Sequence, residues 1–94
     1  MADLTIFILN YCGFCQRALK HVAEVQAEDP KLKMIGIELV DEAAERERAR
    51  KLDYYYVPTF YIGDQKVHEG AITRHKVESI LREAWDAKVK KDTK

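Results

Sequence analysis

The sequence predicts an α/β domain: a four-stranded mixed β-sheet flanked by three helices, in the order βαβαββα. Three observations carry this. Ninety-four residues make one domain, with no room for a second core. In the first half, apolar β-rich runs alternate with segments of helical period, the order that lays helices on the faces of a sheet. In the second half, two strand-like runs flank a Gly-containing turn and precede a last amphipathic stretch. A chain of this size buries roughly two thirds of its unfolded surface, so it can fold without staples.

The elements follow in order. LTIFILN, Leu4 to Asn10, is almost continuous in apolar, β-branched and aromatic residues and reads as a buried central strand. From Gly13 the period changes. Cys15, Ala18, Leu19, Val22 and Val25 recur at helical spacing, and EDPK ends the helix, because Pro30 disfavours helical geometry at Asp29. KMIGIELV, Lys33 to Val40, is a second strand. DEAAERERARKLD, Asp41 to Asp53, is a short helix with Asp41 as N-cap, a thin apolar face of Ala44, Ala49 and Leu52, and ion pairs Glu42–Arg46 and Glu47–Lys51 four residues apart. VPTFYIGDQKVHEG, Val57 to Gly70, gives two strands joined by a tight turn at GDQ. Thr73 caps the last helix, whose stripe is Val77, Ile80, Leu81, Ala84 and Trp85. The basic tail from about residue 88 is expected to fray.

Composition excludes several classes. Apolar residues make up 47% and charged residues 34%, as in an ordinary globular protein. The formal net charge is zero, which argues against nucleic acid or an anionic membrane as the partner. No apolar run reaches the length of a membrane span. MADLTIFILNY has neither a basic leader nor a small-residue cleavage site, so a cytoplasmic location is expected, with a monomer as the default. Cytoplasmic thiols are kept reduced, which argues against a purely structural bridge.

The chemistry concentrates in YCGFC. Cys12 falls where the first strand gives way to the first helix, so its sulfur lies among unpaired helix N–H groups at the positive end of the macrodipole. Both favour the thiolate, the nucleophile of disulfide exchange. Cys15 lies one turn on, and the helical period points it inward. Gly13 is expected to let the loop turn closely, and Phe14 to form an apolar lip. Three uses of the pair stand open at this point: exchange of electrons, a metal or cluster, or an interaction module in which the cysteines are incidental. A zinc site needs four ligands, and the only other candidates are His21, His68 and His75, none at ligand spacing. A metal or iron–sulfur cluster shared between two chains through Cys12 is the alternative of that class.

YCGFC after a short strand, followed by VPTFYIGDQKVHEGAITRHKVESIL, resembles the thioredoxin and glutaredoxin superfamily over nearly the whole chain. The resemblance implies a thioredoxin-like fold and a cis peptide bond at Pro58, which alone would read as the first residue of an edge strand. It further implies that Val57 presents backbone groups toward Cys12 for strand-like pairing with a bound thiol peptide. The chain mixes two branches. Its short lead-in to Cys12 is glutaredoxin-like, while Thr59 after the proline and the Gly70–Ala71 turn are thioredoxin-like. Ile6 stands where thioredoxins carry a buried aspartate. No acid follows Gly70 where glutaredoxins hold the amino end of glutathione, and Asn10 and Tyr11 stand where they tend to carry a lysine.

Tyr11, Gly13, Phe14, Tyr56, Val57, Pro58, Gly70 and Ala71 are the expected substrate-binding residues around Cys12. Their apolar rim suits a peptide or partner protein better than a small dianion; Arg17, Lys20 and Arg74 are candidates to meet a glutathione carboxylate, but each reads more simply as an exposed helix residue. Tyr54 and Tyr56 are expected to share a face, with Tyr55 on the other. The function expected is thiol–disulfide oxidoreductase on protein or small-molecule disulfides: Cys12 attacks, Cys15 resolves, no metal or organic cofactor is required, and glutathione or a thioredoxin-reductase-type protein returns the electrons.

Overall fold

The computed structural model describes residues 2–9, 12–54 and 56–92. Its elements are β1 (Leu4–Ile8), α1 (Gly13–Glu28), β2 (Ile37–Asp41), α2 (Arg46–Arg50), β3 (Thr59–Ile62), β4 (Gln65–Glu69) and α3 (Arg74–Asp92). The sheet order is β2-β1-β3-β4. β1 runs parallel to β2, with Leu4 opposite Ile37 and Ile8 opposite Asp41. It runs antiparallel to β3, with Ile6 opposite Phe60, and β3 pairs antiparallel with β4. The mixed four-stranded sheet and three helices match the order expected.

Side-chain alternation along β1 builds two cores. Leu4, Ile6 and Ile8 face one side, where Ala18, Val22 and Val25 of α1 and Val77, Ile80, Leu81 and Ala84 of α3 cover them around a fully buried Phe60. Phe7 points the other way, with Val40, Tyr61, Ala49 of α2, Leu52 and Tyr54. Burial on both faces explains the near-continuous apolar run. Outside the core, Arg82 of α3 reaches Asp29 at 2.9 Å and Arg74 reaches Glu28, which clasps the end of α1 to α3.

Two elements differ from expectation. The second strand begins at Ile37, not Lys33, because Pro30–Met34 forms a 3₁₀ helix that buries Leu32 completely. Gly36 then joins the start of β1: its C=O accepts from the N–H groups of Asp3 and Leu4, and its N–H donates to Asp3 Oδ2 at 2.7 Å. The second helix is only five residues long. Asp41 ends β2 and turns the chain instead of capping a helix, its Oδ1 accepting from Ala43 N–H at 2.9 Å. Ala44 is exposed, while Ala49 and Leu52 do face the sheet. The four-apart ion pairs give way to a two-pronged bond from Arg48 to Glu38, at 2.6 and 2.8 Å, with the guanidinium over the Phe7 ring.

The hairpin turns at Gly63–Asp64, with Gly63 at φ +63°. Thr73 caps α3, its hydroxyl accepting from Lys76 N–H at 3.1 Å, and Trp85 packs on the core. The basic tail is helical through Asp92, and Lys88 pairs with Asp3 at 3.4 Å.

Phe60 is the ring on which the main core closes. Replacing it with Ala should destabilise the protein by about 3–5 kcal/mol in urea unfolding; a loss below about 1 kcal/mol would contradict the packing described.

Candidate functional site

The sheet register brings the candidate residues to one edge of the molecule. β1 ends at Ile8, and Phe7 lies opposite Thr59, the first residue of β3. Thr59 in turn lies opposite Glu69, the last residue of β4. The segments carrying Cys12, Val57–Pro58 and Gly70–Ala71 therefore leave the sheet at the same end. The main-chain N–H of Gly70 donates to Pro58 C=O at 2.8 Å, and both Cys12 and Val57 pack against the main core.

Cys12 is the N-cap of α1. Its backbone is extended, its N–H donates to Leu9 C=O at 3.0 Å, and its own C=O accepts from Gln16 N–H at 3.1 Å. Its side chain accepts no conventional cap bond. Cys15 is 1% exposed, and the N–H of Leu9 points at its sulfur at 3.5 Å. Both thiols are free. Gly13 does not serve as expected. Its φ is not positive, and a Cβ built on it would meet nothing within 4 Å, so the turn does not require glycine there.

The two sulfurs differ in acidity for geometric reasons. The N–H of Cys15 foremost, then the Cys15 thiol and the Phe14 N–H, stabilise the Cys12 thiolate and hold its pKa below the usual range against a partial desolvation. Burial pushes Cys15 up to about 11, with the charge of Glu42 adding to the effect of Cys12.

The loop before β3 places the other residues. The Val57–Pro58 bond is cis and Pro58 is buried. The Thr59 hydroxyl donates to Tyr56 C=O, and Tyr56 N–H donates to Glu69 Oε2 at 3.0 Å. Phe14 and Tyr56 are exposed, as is Ala71, whose C=O contacts His68 Nε2 at 2.9 Å. Gly70 does need its glycine, lying at φ +90°. Tyr54 and Tyr56 do not share a face. Neither lies in a strand; the Tyr54 ring packs against Phe7 at 5.4 Å, tilted by 43°, while Tyr56 is exposed. Tyr11, Asn10 and Tyr55 lie outside the described residues.

Of the basic residues, Arg17 lies over the Phe14 ring at 5.6 Å, Arg74 is paired with Glu24 and Glu28, and Lys20 is exposed. Among the described residues no group of three His, Cys, Asp or Glu side chains could hold a metal ion. No described helix is long and apolar enough to cross a membrane.

Three contributors escape a reading of the sequence. Leu9 acts through its main chain, which residue identity does not reveal. Glu42 reaches the site only because β2 ends beside β1, its N–H bonded to Ile8 C=O at 2.9 Å. Glu69 reaches it across the β3–β4 hairpin.

The sheet order, the helices and the two free thiols at a strand–helix junction describe an α/β domain with a dithiol at one end of its sheet. No protein-family model matches the sequence, and no curated protein matches it. Solved structures do. A thioredoxin from Fasciola hepatica superposes with a TM-score of 0.62 at 19% identity, over 86% of this chain and 78% of that one. The zinc-bound form of human ERp44 superposes with a TM-score of 0.56 at 19% identity, over 87% of this chain and 26% of the ERp44 chain. These likenesses establish the thioredoxin fold.

The Cys15 shift has a consequence for stability. The folded protein holds this proton more tightly than the unfolded chain, whose ordinary value is 9.0. Its contribution is full below pH 9 and is lost as pH rises toward about 11. Melting curves of the reduced protein should fall over that window, and Cys15→Ser should flatten the fall; an identical slope in the variant would contradict it.

Proposed function

We propose that the protein is a thiol–disulfide oxidoreductase acting on disulfides in proteins or peptides. One observation carries this reading: a partly exposed sulfur of lowered pKa at the start of α1, with a buried sulfur of raised pKa one turn on. An exchange cycle needs one thiol ionised before the substrate arrives and a second kept protonated until needed.

Exchange takes two displacements at sulfur. Cys12 thiolate attacks one sulfur of the substrate disulfide; that S–S bond breaks, a Cys12–substrate disulfide forms, and the departing thiolate takes a proton. Cys15 then loses its proton and attacks the Cys12 sulfur. The mixed disulfide breaks, the second substrate thiol leaves, and Cys12–Cys15 is oxidised by the two electrons the substrate has gained. Glutathione or a reductase protein supplies two electrons to restore the dithiol.

An extended peptide suits the rim. Phe14, Tyr56 and Ala71 are exposed, and Gly13 leaves open space beside Cys12. Among the described residues, none pairs with the main-chain N–H or C=O of Val57, which leaves both for a substrate strand.

Cys12→Ser is expected to abolish exchange, while Cys15→Ser should accumulate a mixed disulfide on Cys12, read by mass spectrometry of quenched mixtures. Equal activity in both variants would refute the assigned roles. In the same assay, rapid reduction of the oxidised protein by glutathione, with an adduct on Cys12, would identify glutathione as the electron donor; slow reduction without one would identify a reductase protein.

A further inference from the structure

The loop before Pro58 keeps an aromatic ring in water, and two side chains of β4 hold it. Tyr56 is 70% exposed, more than Phe14 at 51%. An exposed loop residue is ordinarily loosely held. Tyr56 is not, because its main chain is tied on both sides: its N–H donates to Glu69 Oε2 at 3.0 Å, and its C=O accepts from the Thr59 hydroxyl. Lys66 extends the grip. Its Nζ donates to Glu69 Oε1 at 2.8 Å and to the C=O of Asp53 at 2.8 Å. β4 thus grips the loop at two points three residues apart. These bonds lie at the surface: the Lys66 side chain is 35% exposed and the Glu69 side chain 20%. Gly70 passes close behind, where a Cβ would lie 3.7 Å from Tyr56 Cβ. Neither Lys66 nor Glu69 belongs to either apolar core.

We propose that Lys66 and Glu69 are positioning residues that fix Asp53 and Tyr56, so that the exposed Tyr56 ring stands at the dithiol end of the sheet as an anchor for an apolar or aromatic side chain of a disulfide-bearing peptide. This rests on the oxidoreductase reading. An anchor held before the substrate arrives spares the complex the ordering cost of a loose loop. The clamp therefore acts on substrate capture, not on the sulfur chemistry.

The test compares Glu69→Ala and Glu69→Gln, using a disulfide-linked peptide with phenylalanine beside its cysteine. The Gln side chain keeps an oxygen for Tyr56 N–H but gives up the ion pair with Lys66. E69A should speed hydrogen exchange at the Tyr56 amide and raise KM about tenfold, the equivalent of one charge-assisted hydrogen bond. Its kcat and the rate of Cys12 alkylation should stay unchanged, and E69Q should show little of the KM rise. In a Tyr56→Ala background, E69A should add nothing. An unchanged KM in E69A, or the same KM rise with Tyr56 removed, would overturn the proposal. A wild-type protein without turnover on any disulfide would overturn the redox reading and the anchor with it, while the exchange rate at Tyr56 would still report whether Glu69 holds the loop.

Discussion

Burial of β1 on both faces is the constraint on which the rest depends. Leu4, Ile6 and Ile8 are committed to the α1–α3 side and Phe7 to the α2 side, so the strand cannot slip by one residue without turning both cores outward. Its pairing with β2 on one flank and β3 on the other then fixes which chain ends meet. Cys12 follows four residues after the strand stops, and the cis Val57–Pro58 bond comes directly before the strand that lies opposite Phe7. The site is a by-product of register.

The same geometry separates two chemically identical side chains. Cys12 caps a helix whose first N–H groups have no carbonyl to bond, and a sulfur there is stabilised as an anion by donors that would otherwise face solvent. Three residues on, the helix has turned inward, and Cys15 loses access to water. One turn of backbone thus sets the order in which the two thiols ionise, with no basic side chain needed to activate the first.

Much of this was legible in the sequence. Period changes located β1, α1, the hairpin and α3, and the cysteine pair and Val57–Pro58 marked segments that the register brings to one end of the sheet. The failures share a cause. Asp41 and the charged run after it have good local helix propensity, but a short connection from β2 leaves Asp41 to turn the chain, and Arg48 finds a better partner in Glu38 across the fold than on its own helix. Lys33 and Met34 look strand-like only until Pro30 starts a tighter coil that buries Leu32. Tyr54 and Tyr56 obey strand alternation only if a strand is present. Glu42 and Glu69 could not be found by motif, because each reaches the site by way of a sheet neighbour. Main-chain partners such as Leu9 carry no side-chain signature at all.

The open space around Gly13 has an evolutionary reading. A residue between two reactive sulfurs could have been locked in place by the fold, and this one is not: nothing crowds it and its backbone suits any side chain. Position 13 can therefore drift, and with it the reactivity of the neighbouring thiols, with no clash in the fold to oppose it. Natural variation at this position would act on the chemistry alone, which makes it a dial that selection can turn without first securing a compensating change in the core.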